Sequence, residues 1–275
     1  MPLNKMLLPT AIKDKDSKLL SYACALTAQG VRELVLAHVV DATGQEAPVL
    51  VREVDRAYDK LHEMVEPFRG QGMNIEVRVV TGSVFREIMA LANQADVDVI
   101  VCGTEGKSFV DYLFSGSVSE DIALKGDERT MTVRWSLLDS VEGAHEMGRS
   151  FAERLVVPTD FSSSSLRALL SAFDRPKEAL GELHVVHVVS DPSERLEAEM
   201  QMRAVHALGE EHEANVKAVI LEGDPSEVVL DYLQRIDATG VITGRRGKSR
   251  LKIGVLGSVS MDLLQRANCP VVVQP

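Results

Sequence analysis

Two glycine-serine constellations in this chain have the make-up of anion cradles. Gly244-Arg245-Arg246-Gly247 is followed, after nine residues, by Gly257-Ser258-Val259-Ser260. Gly103-Thr104-Glu105-Gly106 is followed, after the same nine-residue gap, by Gly116-Ser117-Val118-Ser119. Glycines let a backbone approach a phosphate closely and adopt positive φ. A Gly-Ser pair opening a helix offers unpaired amides and a hydroxyl to the same anion. One such loop is weak evidence, because glycines after a strand often only turn the chain. Two copies with identical internal spacing carry much more weight.

The copies differ in charge. Arg245, Arg246, Lys248, Arg250 and Lys252 give the 244–257 segment a net charge of +5, whereas Glu105, Lys107 and Asp111 leave 103–116 at −1. Opposite charges ~4 Å apart near a surface attract by roughly 4 kcal/mol before desolvation, so a polyphosphate is expected to prefer the second loop. Gly247-Lys248-Ser249 and Gly106-Lys107-Ser108 echo the end of a P-loop, but the upstream glycine that motif needs is replaced by Ile242 and Val101.

The remaining chemistry is sparse. There is no Gly-x-Ser-x-Gly elbow and no HExxH, and no residue is assigned a catalytic role. His38 and His187 sit in apolar strands, as hydrogen-bonded core residues do. His62, His206 and His212 read as solvated, and Asp14 and Asp16 near the first turn offer either a cation site or, as the more ordinary case, a solvated loop. Cys24, Cys102 and Cys269 form neither a CxxC pair nor a metal spacing, so three reduced, buried thiols are expected.

These loops are placed by an internal duplication. Leu8-Pro9-Thr10 matches Val157-Pro158-Thr159, and His38-Val39-Val40 matches His187-Val188-Val189, both at an offset of 149. Gly82 matches Gly223, and the two glycine loops match each other, at 141. Each half alternates strand and helix. Strands are expected near 5–8, 33–39, 76–80, 97–102 and 130–135, and again near 154–157, 183–189, 216–221, 240–243 and 270–274. A helix over Val51–Phe68 would set Val51, Val54, Tyr58, Leu61, Val65 and Phe68 on one face. Ser162–Ser165 and Asp224-Pro225-Ser226-Glu227 are helix starts. A linker is expected around Leu137–Ser150, giving one domain over 1–140 and another over 150–275. Near-continuous apolar strands imply parallel sheets covered by helices, with ligands at the carboxyl ends of the strands.

The Gly-x2-Gly-x9-Gly-Ser pattern after the fourth strand resembles the ATP-binding motif of universal stress proteins. Val156-Val157-Pro158-Thr159-Asp160 looks like that family's first strand and nucleoside turn, His187-Val188-Val189 its second strand, Gly223-Asp224-Pro225 its turn into the third helix, and Ala267-Asn268-Cys269-Pro270 its entry to the last strand. The resemblance covers nearly the whole chain, twice. It implies an α/β fold of two tandem Rossmann-like (adenine nucleotide alpha hydrolase-like) domains, each a five-stranded parallel sheet in the order 3-2-1-4-5 with helices on both faces. It implies ATP, alone or with Mg2+, held in the second domain by Pro158, Thr159, Asp160, Val188, Thr243, Gly244, Arg246, Gly247, Gly257, Ser258, Val259 and Ser260. Within that set, Asp160 would bond the adenosine moiety. On its own, Asp160 also reads as a helix cap.

The first domain has Ala11 where the second has Asp160. Its matching positions, Pro9, Thr10, Val39, Gly103, Gly106, Gly116, Ser117, Val118 and Ser119, make a degenerate second nucleotide site. Three classes of function stay open: an ATP-dependent regulator of stress response, a nucleotide-free interaction or carrier protein, and an ATP-using enzyme. The resemblance further implies slow hydrolysis or self-phosphorylation at most, pairing of the two halves through their last strands, Val271-Val272-Val273 and Thr132–Trp135, and a homodimer.

A net charge of −11 on 275 residues disfavours nucleic-acid and anionic-membrane partners. At 4% aromatic residues, the core must be mainly aliphatic. Pro9 follows Met6-Leu7-Leu8 too soon for a secretory core, and no stretch has transmembrane length, so the cytoplasm is expected.

Overall fold

A computed structural model describes residues 3–44, 46–105, 122, 126, 128–247 and 256–275. The chain divides into two compact units, the first built on Leu3–Glu105 and the chain up to Arg149, the second on Ser150–Pro275. In the first unit the elements run β1 (Lys5–Pro9), α1 (Asp16–Ala25), β2 (Glu33–Val40), α2 (Ala47–Val65), β3 (Asn74–Thr81), α3 (Val84–Ala95), β4 (Val99–Thr104), β5 (Thr130–Arg134) and α4 (Val141–Arg149). In the second they run β6 (Arg154–Pro158), α5 (Ser163–Phe173), β7 (Glu182–Val189), α6 (Arg195–Glu211), β8 (Val216–Glu222), α7 (Pro225–Arg235), β9 (Gly240–Gly244), α8 (Ser258–Arg266) and β10 (Val271–Gln274).

Among the described residues each unit holds five parallel strands. The first is ordered β3-β2-β1-β4-β5, with Leu7 opposite Val35 and Ile100, and the second β8-β7-β6-β9-β10, with Val156 opposite His184 and Val241. Both sheets therefore reverse direction between their first and fourth strands, the expected 3-2-1-4-5 order. Alternate strand residues serve opposite faces. Leu7, Val35, Ala37 and Ile100 pack with Ile88 and Leu91 of α3, while Met6, Leu8, Leu34 and Leu36 are equally buried on the other side. Each fully buried leucine contributes about 1.5–3 kcal/mol relative to exposure, which gives this aliphatic core its strength.

Local sequence accounts for several boundaries. Gly82 and Gly223, matched in the repeat, take φ of 144° and 129° just before α3 and α7. Asp224 caps α7 by accepting from Ser226 N and Glu227 N, each at 3.1 Å. Ser162 caps α5 through Ser165 N at 3.3 Å.

Other expectations are revised. Helix α2 starts at Ala47, with Pro48 in its first turn, and buries Ala57, Leu61 and Val65; Val51, expected in the core, is 59% exposed. The stretch expected as linker carries α4. Its glycines do not break it, because Gly148 is a contact point: a β-carbon there would stand 2.4 Å from Tyr22 O of α1. Ser21 Oγ donates to Val141 O, and Lys18 Nζ donates to Leu138 O and Asp139 O, fastening α1 to α4 and its approach. Among the described residues no helix is long and apolar enough to cross a membrane.

Candidate nucleotide-type cleft

The turn after β6 is pinned on three sides. Thr159 N donates to Val186 O at 2.8 Å, His187 Nδ1 donates to Thr159 O at 2.7 Å, and Thr159 Oγ1 accepts from Phe161 N at 3.0 Å. Phe161 is thereby held at φ 58°, an uncommon conformation for a bulky residue, with its ring 4.6 Å from that of His187. Such a conformation persists only where its surroundings over-determine it, and it clusters at functional sites. The turn projects Asp160. Its Oδ1 accepts from Ser162 N at 3.0 Å and from Ser165 Oγ at 2.9 Å, while a β-carbon on Gly247 would stand 2.6 Å from its Oδ2. The carboxylate therefore supports the entry to α5, as a cap reading expects, and also faces the glycine loop.

The loop after β9 is laced to the same helix. Arg246 N donates to Ser164 Oγ and Ser162 Oγ to Arg246 O, both at 3.4 Å. A β-carbon on Gly244 would meet the Ser164 carbonyl carbon at 2.6 Å. None of Gly244, Gly247 and Gly257 takes a left-handed backbone, so close approach, rather than positive φ, explains the first two. Gly257 N donates to Arg245 O at 3.0 Å, which brings the start of α8 back beside the loop. Ser258, Val259 and Ser260 form the first turn of α8, where amides have no carbonyl one turn earlier.

These parts line one cleft of about 210 Å3 at the carboxyl ends of β6 and β9. All twelve residues named from the sequence for the second half stand in its wall: Pro158, Thr159, Asp160, Val188, Thr243, Gly244, Arg246, Gly247, Gly257, Ser258, Val259 and Ser260. Four others were missed: Ser165, Val186, Pro225 and Val229. Pro225 reads in the sequence only as part of a helix start, and nothing there says that α7 also meets the cleft. Strand β6 lies between β7 and β9, so the cleft has an apolar flank of Val186, Val188, Pro225 and Val229, a carboxylate in the middle, and a flank of glycines, helix amides and Arg246. Such a surface suits a flat apolar ring, a hydroxyl donor and an anion, in that order.

Two expectations about this flank change. Arg245 is buried and lies outside the cleft wall, so it is not a phosphate-facing base; Lys248, Arg250 and Lys252 lie outside the described residues. The Ser260 hydroxyl is committed to the fold, donating to Gly244 O at 2.7 Å.

The first unit repeats the turn with different side chains around it. Ile12 takes φ 57°, Thr10 Oγ1 accepts from Ile12 N at 3.0 Å, and His38 Nδ1 donates to Thr10 O at 2.8 Å. Ala11 stands for Asp160, and Asp16 stands for Ser165. Asp16, expected to be solvated, is buried, and its Oδ2 accepts from Thr10 Oγ1 at 2.7 Å and from Ala11 N and Lys13 N at 3.0 Å. The carboxylate here comes five residues later in the chain and bonds the turn itself. Trp135 covers Gly103 so closely that a β-carbon there would lie 2.0 Å from its ring, and Lys15 Nζ sits 4.4 Å over that ring while pairing with Glu105 at 2.6 Å. Pro9 ends β1 and Val39 is buried in β2. Gly106, Gly116, Ser117, Val118 and Ser119 lie outside the described residues.

Elsewhere, a buried polar cluster escaped sequence reading. His184 bonds Tyr232 Oη through Nδ1 at 2.7 Å and Glu182 through Nε2 at 3.1 Å. Burial raises the Tyr232 phenol, and hydrogen bonds from Lys217 and then His184 lower Glu182. The cluster lies at the start of β7, whereas the cleft lies at the strand's other end. All three cysteines are buried, and burial pushes the Cys24 and Cys102 thiols up to about 12.

A doubly wound parallel sheet, present twice and carrying a glycine loop at the switch point of one copy, defines a tandem Rossmann-like α/β protein. The chain belongs to the universal stress protein family, whose profile matches residues 2–134 and 152–275. A universal stress protein of Methanocaldococcus jannaschii, MJ0531, is 30% identical over 46% of this chain and 84% of its own length. Stress response protein NhaX of Bacillus subtilis is 28% identical over 44% of this chain and 97% of its own. Among solved structures, a universal stress protein from Archaeoglobus fulgidus aligns with a TM-score of 0.79 and 26% identity, covering 98% of this chain and 96% of that one.

Proposed function

We propose that the second unit binds ATP and that the chain is a nucleotide-dependent regulator in stress response. The observation carrying this reading is the approach of Asp160 Oδ2 to Gly247, which brings a hydroxyl-binding carboxylate against an anion-binding loop. The adenine ring would lie against Val186, Val188 and Val229, the ribose hydroxyls would donate to Asp160, and the phosphates would meet the first turn of α8 and Arg246. A divalent cation such as Mg2+ would come with the phosphates, because among the described residues no three His, Cys, Asp or Glu side chains gather to hold one. Buried thiols fit a cytoplasmic setting.

For the first unit, Asp16 turned inward and Trp135 laid over Gly103 favour a role that does not use a nucleotide. The test is ATP titration of the intact chain and of Asp160→Ala, together with mass spectrometry of small molecules released from freshly purified protein. ATP released from the wild type and weakened binding in the variant are expected. An empty protein whose Asp160→Ala variant binds ATP equally well would replace the reading with that of a nucleotide-free carrier.

A further inference from the structure

Helix α4 falls in the gap between the two family-matched segments, which end at residue 134 and resume at 152. It also walls a cavity of about 630 Å3 at the amino ends of the first unit's strands. Arg32, Gln71, His145 and Arg149 line this cavity, with Cys24 and Ala28 adding small side chains. Among the described residues no lining residue is acidic, in a chain of net charge −11. Cys24 supplies no reactivity, since burial pushes its thiol up to about 12.

Hydrogen bonds fix the Arg32 side chain and the Arg149 main chain. Arg32 Nη1 donates to Thr27 O at 2.7 Å and Val31 O at 2.9 Å, which anchors one edge of the guanidinium on backbone carbonyls. Gln29 Nε2 donates to Arg149 O at 2.9 Å, fixing the backbone from which Arg149 projects. Arg149 Nε pairs with the Glu146 carboxylate at 4.0 Å, and Glu146 is exposed and outside the lining. Capping of carbonyls accounts for one nitrogen of Arg32, but not for His145 and Arg149 facing the same space. The repeat offers no equivalent: the position matching Arg32 is Gly181, whose β-carbon would lie 2.4 Å from Glu153 O.

Two arginines around one concavity raise its potential and concentrate counter-ions there. A planar guanidinium with donors to spare binds oxyanions two-pronged. We propose that this cavity is a binding site for a small oxyanion of two or more charges, of the phosphate class, held between Arg32, His145 and Arg149. The site is distinct from the glycine-loop cleft and does not depend on the nucleotide reading.

The experiment follows the ring resonances of His145 by NMR in the full chain, assigned with His145→Gln, during titration with inorganic phosphate, pyrophosphate and succinate. A saturable shift is expected, with pyrophosphate tightest and succinate weakest. Arg32→Gln and Arg149→Gln should each weaken pyrophosphate by about fivefold or more, and added KCl should weaken it further. Arg32→Lys, which keeps a carbonyl donor, serves if Arg32→Gln lowers the melting temperature. The same curve in an Asp160→Ala chain separates this site from the cleft. A shift that never saturates, or saturation unchanged in both arginine variants, means an adventitious ion only and overturns the proposal. Succinate binding as tightly as pyrophosphate overturns the phosphate assignment.

Discussion

Asp160 points one carboxylate oxygen at the α-carbon of Gly247, so that a β-carbon there would stand 2.6 Å away, while the other oxygen accepts from Ser162 N and Ser165 Oγ. The strand turn, the helix start and the glycine loop thus meet on a single side chain, and disturbing one should disturb the others.

Gly247→Ala must push the carboxylate aside. ATP affinity should fall by about tenfold or more, some 1.4 kcal/mol, by isothermal titration. At Gly257 the nearest atom to a new β-carbon is 3.5 Å away, an ordinary contact, so Gly257→Ala should lose less. Equal losses at both positions would contradict the steric account.

Asp16→Ala should destabilise the first unit by about 2–3 kcal/mol, because a buried charged acceptor disappears and the amides of Ala11 and Lys13 lose their partner. Urea unfolding followed by tryptophan emission measures this. A midpoint matching the wild type would show that the carboxylate is not needed for the turn.

Cys24 and Cys102, with thiols raised to about 12, should resist iodoacetamide at pH 8 in the native chain and label rapidly in urea. Peptide mass spectrometry reads the outcome. Fast native labelling of Cys24 would mean that the wall of the first unit's cavity opens readily.

Glu227 is lowered from its ordinary 4.5, mainly by the hydrogen bond from Arg266. A depressed folded value contributes stability above the unfolded value and loses it as pH falls through the folded one. The wild type should therefore melt slightly above Glu227→Gln near neutral pH, and the gap should close below about pH 4. The pair is exposed, so the gap is small. A gap that widened on acidification would reverse the sign of this linkage.

Much of the architecture was legible because the repeat ties distant positions together. Gly82 and Gly223 announce the same turn, and Asp224-Pro225 announces the start of α7 without help from packing. The cleft wall was legible from its two flanking motifs. What escaped depended on space. The stretch around Leu137–Ser150 read as a linker, yet it carries α4, where Gly148 is small because Tyr22 O lies against it. Val51 was counted in the core by periodicity, but it stands exposed in the first turns of α2. Ser165 and Asp16 are matched in sequence, but only the turn geometry shows that a carboxylate at 16 folds back where one at 160 reaches out. His184 drew no notice, since a histidine in an apolar strand gives no hint of the Tyr232 hydroxyl 2.7 Å away.

The chain has one tryptophan, and it is Trp135, laid on Gly103 beneath the Lys15 ammonium. Tryptophan emission from this molecule therefore reports on the surroundings of Gly103 and Lys15 in the first unit, while the second unit's own ultraviolet emitter is Tyr232.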